Sequence, residues 1–293
     1  MAPISNLRGI GCMILATGSF IGNDICMKLA MADLPPLEVL FLRGVSGTLW
    51  SLIAIASMGL LRQLPLALNP WVVLRGLSEF VAVAGFGIAL ARVPLGDLTA
   101  IYQIAPLLVL VGAALIWGEA IGPLRYGLIG LGFAGAMLVA QPGSTAASPY
   151  ALLGLLTAAG AAGRDLLTRR IPAAIPALIA APMTVVVVML CTGAATLMAE
   201  TWVAPSQHHI GLMSLAGLLV IIGQLLMFLA FRLAATRAVA PFFYCFLIWA
   251  VLAGFAIFGE VPNAYALTGM ALIITSGLAV LALERRGPQA VKA

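Results

Sequence analysis

The chain is built from long apolar runs separated by short polar breaks. Ten runs can be read, at about 8–31, 36–60, 70–91, 96–117, 122–140, 149–169, 174–198, 210–232, 237–258 and 262–283. Crossing a bilayer as a helix takes about 20 apolar residues, and these runs have that length. The breaks carry residues that end helices: Pro35-Pro36, Pro65, Asn69-Pro70, Gln141-Pro142-Gly143 and Ala204-Pro205. The pattern predicts an all-α polytopic membrane protein of ten transmembrane helices. The fourth and ninth runs should each be kinked, at Pro106 and Pro241, because proline removes a backbone donor and crowds the preceding turn.

Those two runs also end alike, on Trp117-Gly118-Glu119 and Phe258-Gly259-Glu260. The offset between them is 141 residues, and it recurs without a gap: Gly22 on Gly163, Asp24 on Asp165, Pro35 on Pro176, Gly76 on Gly217, with Lys28 on Arg169. The chain therefore reads as two copies of one unit, 1–146 and 147–293. Each copy holds five spans. An odd number turns the second copy upside-down, which predicts two inverted five-helix repeats.

Composition agrees: 63% of residues are hydrophobic, 9% charged, and mean hydropathy is +1.13. Average soluble domains are about a quarter charged, so a soluble class is excluded. The first run is too long for a cleaved leader, and none is expected. With the N-terminus in the cytoplasm, Arg8, Arg62, Arg75, Arg125, Arg169, Arg170, Arg232, Arg237, Arg285, Arg286 and Lys292 fall at or near the inner face. The positive-inside rule then places both termini in the cytoplasm and the protein in the inner (plasma) membrane. The net charge of +5 reports topology, and nucleic acid is not an expected partner.

Cys12, Cys26, Cys191 and Cys245 sit in apolar runs without metal-ligand spacing and read as small hydrophobes. No phosphate loop, catalytic grouping or metal cluster is legible, so neither enzyme chemistry nor a cofactor is expected. His208 and His209, in a loop, read as incidental. Polar residues at membrane depth remain, and these are costly enough to mark functional sites. Glu79 sits mid-span in the third run, either paired with Arg75 one turn earlier or free for a task. Asn23 and Asp24 lie at a depth similar to Arg43, with pairs Asp24–Arg43 or Asp24–Lys28 open. Arg164 and Asp165 are their counterparts in the second copy. Asn23, Asp24, Arg43, Arg75, Arg164 and Asp165 are candidate gating or coupling residues, or structural pins. Candidate substrate-binding residues are Glu79, Phe80, Tyr102, Gln103, Gln224, Phe228, Tyr244 and Trp249, which could share a central cavity. Trp71 and Trp202 fit an interfacial belt, the glycines of the fifth and tenth runs fit close packing, and Glu119 and Glu260 read as helix-end caps at the water interface.

Ten helices in two inverted halves, Arg43 in the second run, and the Trp-Gly-Glu and Phe-Gly-Glu ends together resemble the EamA branch of the drug/metabolite transporter superfamily. The resemblance covers the whole chain. It implies a carrier whose cavity is lined mainly by helices 1, 3, 4, 6, 8 and 9, with 5 and 10 supporting. Members of that family export amino acids, aromatic ones among them. Others take up S-adenosylmethionine or move purines, sugars or drugs. An inner-membrane exporter of amino acids or related small metabolites, working by alternating access, is the leading expectation. An importer or proton-coupled drug exporter is the alternative within transport, and a membrane enzyme or scaffold the alternative outside it. A small-molecule substrate, the lipid bilayer and a monomeric state are expected, with proton coupling left open.

Overall fold

A computed structural model describes residues 3–118, 122–141, 150–172 and 174–286. Every described element is helical. The chain runs α1 (Pro3–Ala30), α2 (Pro36–Ser57), a 3-10 segment (Leu61–Leu68), α3 (Pro70–Leu90), α4 (Leu95–Tyr102), α5 (Ala105–Trp117), α6 (Pro123–Ala140) and α7 (Ala151–Thr168). It continues through α8 (Ala177–Ala199), α9 (Gln207–Leu233), a short α10 (Thr236–Val239), a 3-10 segment (Ala240–Tyr244), α11 (Cys245–Phe258) and α12 (Ala264–Arg286). The protein is an all-α polytopic membrane protein. Nine helical stretches of the described residues are long and apolar enough to span. α7, which carries Arg164 and Asp165 in its 18 residues, is not among them.

Both predicted kinks are present. The fourth run breaks at Gln103-Ile104, just before Pro106, and the ninth tightens into the 3-10 segment around Pro241. Each broken run ends on a left-handed glycine, Gly118 at φ 68°, ψ 22° and Gly259 at φ 67°, ψ 18°. Only glycine adopts that conformation without a Cβ penalty. The 3-10 segment after α2, carrying Arg62 and Pro65, had read only as a break.

Packing follows the 141-residue offset. α1 lies along α9 as α3 lies along α7, and α2 meets α9 as α3 meets α8. α2 pairs with α8, and α6 with α12. The closest approaches are matched as well. A Cβ on Gly22 would sit 3.0 Å from Leu219, and one on Gly163 2.6 Å from Ser78. A Cβ on Gly76 would sit 2.8 Å from Val187, and one on Gly217 2.2 Å from Ser46. Lipid gives helices no hydrophobic drive to associate, so small residues that let backbones meet carry much of the cohesion.

Candidate substrate site

Glu79 on α3 faces α7, where its Oε2 accepts from Arg164 Nη1 at 2.9 Å. Arg164 Nε also meets Asp165 Oδ1 at 2.8 Å. The Arg75–Glu79 pair, one of the two readings open for Glu79, is not made within 4.0 Å. Arg75 turns away from its helix neighbour and donates to Thr168 Oγ1 at 3.0 Å and to Thr184 Oγ1, spanning α7 and α8. The reason is rotational: Arg164 approaches Glu79 across the helix interface, while the long Arg75 arm finds hydroxyls on two other helices. The Tyr102 phenol lies beside Arg164, which joins the kink of the fourth run to this ion pair.

On α1, Asn23 Nδ2 donates to Asp24 Oδ1 at 2.8 Å, and both residues are buried. Among the described residues Asn23 Oδ1 has no partner. Arg43 lies in the field of Asp24 and Glu79, but makes no ion pair with either within 4.0 Å. Asp24 therefore does not form the close pair expected with Arg43 or Lys28. Lys28 instead pairs with Glu260 Oε1, donates to Val93 O at 2.9 Å and sits 5.1 Å from the centre of the Phe258 ring.

Aromatic rings gather at the two kinks. Tyr102 packs edge-on to Phe86 at 6.2 Å and against Phe246 at 6.3 Å. Phe246 in turn contacts Phe20 at 6.3 Å and stacks on Phe243 at 6.1 Å. Phe20, Phe86 and Phe246 were not singled out in the sequence. Their available signal was register: Phe20 lies three and four residues before Asn23 and Asp24, and Phe86 two turns beyond Glu79.

Gln103 is 1% exposed, and among the described residues neither amide atom has a partner. Gln224 is half-buried on the face of α9 opposite exposed Leu215, Ile222 and Leu229, and among the described residues it has no hydrogen-bond partner. Phe228 lies under Arg232, 5.7 Å away, and Phe80, half-buried beside Glu79, has no ring contact with the cluster among the described residues.

Tyr244 and Trp249 have no ring contact with this cluster among the described residues. The Tyr244 hydroxyl points at α12, where a Cβ on Gly277 would come within 1.6 Å of it. Trp249 is 39% exposed on the rim of α11 and donates to Ile14 O at 3.3 Å. Its neighbours Ile248, Leu252 and Phe255 are exposed too, so this face of α11 looks out of the bundle.

Glu260 is more than a helix-end cap. Besides Lys28, its Oε2 accepts from Leu95 N at 2.8 Å, so one carboxylate ties the end of α11 to α1 and to the start of α4. Asp97, with an unpartnered Oδ1, lies in the field of both. Glu119 falls outside the described residues. At the same end Glu200 caps α2 through Leu37 N and Glu38 N, and His209 closes a capping box with Ser206 while meeting Asp33 at 3.2 Å. The opposite end is basic: Arg169 stands over Trp117 at 4.9 Å and Arg170 over Trp71 at 5.8 Å.

Residues 7–141 match the EamA-like transporter family. The chain is 30% identical over 283 residues to a pseudopaline exporter, CntI, of Pseudomonas aeruginosa, covering 93% of this chain and 95% of that one. It is 33% identical over 226 residues to a riboflavin transporter of Rhizobium johnstonii, covering 74% and 72%. A further relative is an S-adenosylmethionine uptake transporter of Rickettsia conorii, 26% identical over 287 residues, covering 96% and 94%. One crystal structure shares the fold with a TM-score of 0.62 at 18% identity, over 94% of this chain and 98% of the other. With its apolar helices and full-length relatives that move small metabolites across membranes, this chain is a membrane transporter and belongs to the EamA-like transporter family.

Proposed function

We infer that the protein is an inner-membrane exporter of amino acids, aromatic ones among them, or of related small metabolites, and that it works by alternating access. The observation that carries this reading is the juxtaposition at membrane depth of a charged network on α1, α2, α3 and α7 with a cluster of five aromatic rings. Charge held that deep is costly unless a polar solute or water uses it. Rings beside it receive a flat or apolar side chain. Residues 1–146 and 147–293 act as inverted repeats in this reading, which the matched packing of α1·α9 with α3·α7 and the two left-handed glycines support. Both termini lie in the cytoplasm, so the basic end faces inward and the Glu260 end outward.

Uptake is the second reading, and it rests on the relative named as an S-adenosylmethionine uptake transporter. The test is reconstitution into liposomes loaded with an amino-acid mixture, with mass spectrometry of both compartments. Export predicts release of a subset of amino acids from vesicles carrying the protein and none from empty ones. No release of any amino acid sinks the reading, and accumulation of externally added solute favours uptake.

A further inference from the structure

Resting on that reading of the cargo, we propose that Asn23, Asp24 and Arg43 form the head-group site for a zwitterion. Arg43 takes the carboxylate, and Asn23 and Asp24 take the ammonium. The rings around Phe246 receive the side chain.

Three of the membrane-depth cations are already engaged. Arg164 is held by Glu79 and Asp165, Arg75 by two threonine hydroxyls, and Lys28 by Glu260. Arg43 is the exception. It is half-buried, and its guanidinium has no hydrogen bond or ion pair among the described residues, although Asp24 and Glu79 both act on it. A guanidinium is a planar fork of donors matched to a carboxylate, and it stays charged. Asn23 is 3% exposed, and its Oδ1 is a buried acceptor with no donor among the described residues. Leaving such an atom unmet costs about 1–3 kcal/mol, so a site that keeps one is prepared for a donor.

A close Asp24–Arg43 pair would have satisfied the cation, and it is absent. Arg43 supplies donors for a carboxylate, Asn23 and Asp24 supply acceptors for an ammonium, and an amino acid carries those two groups on one carbon. Phe20 lies one turn before Asn23 and Asp24 on the same side of α1, with its ring on Phe246. A head group held at Asn23, Asp24 and Arg43 therefore directs its side chain toward the rings. Glu79, whose partner is Arg164, is not needed to hold the cargo.

Titration calorimetry on the purified full-length protein tests this with three probes: L-phenylalanine, phenethylamine, which lacks the carboxylate, and 3-phenylpropionate, which lacks the ammonium. The unmodified protein should prefer phenylalanine to either by about tenfold to a hundredfold, the value of one charge-assisted hydrogen bond. Arg43→Gln should erase the preference over phenethylamine and keep that over phenylpropionate. Asp24→Asn should do the reverse. Equal loss of all three ligands in both variants overturns the proposal. If a variant does not fold, the ranking in the unmodified protein decides alone, and a flat ranking overturns it. Amino-acid release from liposomes with a flat ranking sinks only this site, whereas no release and no binding removes the amino-acid reading itself.

Discussion

Glu79→Gln is expected to stop most transport and to lower thermal stability, and adding Arg164→Gln is expected to recover the stability but not the transport. The pair joins α3 to α7 at 2.9 Å with both side chains 21% exposed, so it is mostly shielded from water. Removing the carboxylate leaves Arg164 with Asp165 at 2.8 Å, which cushions the loss. The cost should therefore be about 1.5–3 kcal/mol, as for one hydrogen bond to a charged group, rather than about 3–5 kcal/mol for a buried pair stripped of one member. Replacing both partners removes the stranded cation, and Asp165, which loses Arg164 as well, is 46% exposed and is met by water. A static pin between α3 and α7 could be replaced by two neutral side chains without harm. A pair that opens and closes during the cycle could not, because the charges set the balance between states. Thermal melts and liposome flux on the single and double variants separate these outcomes. Full flux in the double variant would reduce the pair to a pin.

Glu260→Gln is expected to open the acidic end of the bundle. As a hypothesis, Glu260 acts as a latch, since it holds Lys28 on α1 and the amide of Leu95 at the start of α4 together. Glutamine can still accept from Leu95 N but loses the charge that draws in Lys28. At about 1.5–3 kcal/mol for a charged hydrogen bond, the open population rises by about tenfold or more. The reporter is Thr99→Cys in a protein cleared of its four native cysteines. Thr99 is fully buried and its hydroxyl has no partner among the described residues, so the change is nearly silent. A membrane-impermeant maleimide added to intact cells should label Cys at this position about tenfold faster in the Glu260→Gln background. An unchanged rate argues against a latch. Labelling from the cytoplasmic side alone would reverse the proposed orientation.

Much of the helical framework was legible because its determinants are local. Apolar runs marked the spans, Pro106 and Pro241 marked the breaks, and Gly118 and Gly259 marked two ends that adopt the same left-handed cap. The partners of the charged residues were not legible. Sequence fixes the depth of Glu79 but not which way α7 turns, so the helix neighbour Arg75 was weighed and Arg164, 85 residues away, was not. The surroundings of Tyr244, against α12, and of Trp249, on an exposed face of α11, were not legible for a related reason. In a soluble helix the polar face shows which side looks out, but lipid is as apolar as the interior, and α11 is apolar all round. The ring cluster was missed because single phenylalanines are ordinary in such helices, and only their meeting across α1, α3 and α11 gives them meaning.

The two charges within α7 bear on how the protein is made. A translocon releases a helix into lipid on its own merits, and each central charge weighs about 2.5–3.5 kcal/mol against release. α7 carries two charges in 18 residues and falls outside the nine stretches that qualify by length and composition. Its natural counter-charge, Glu79, belongs to a helix synthesised earlier. The first five runs would thus serve as the receiving surface for the sixth, making insertion of the second half depend on prior insertion of the first. In a coupled translation and membrane-insertion assay, α7 should integrate poorly when translation starts at residue 147. Equal integration with and without the first half would show that α7 enters unaided.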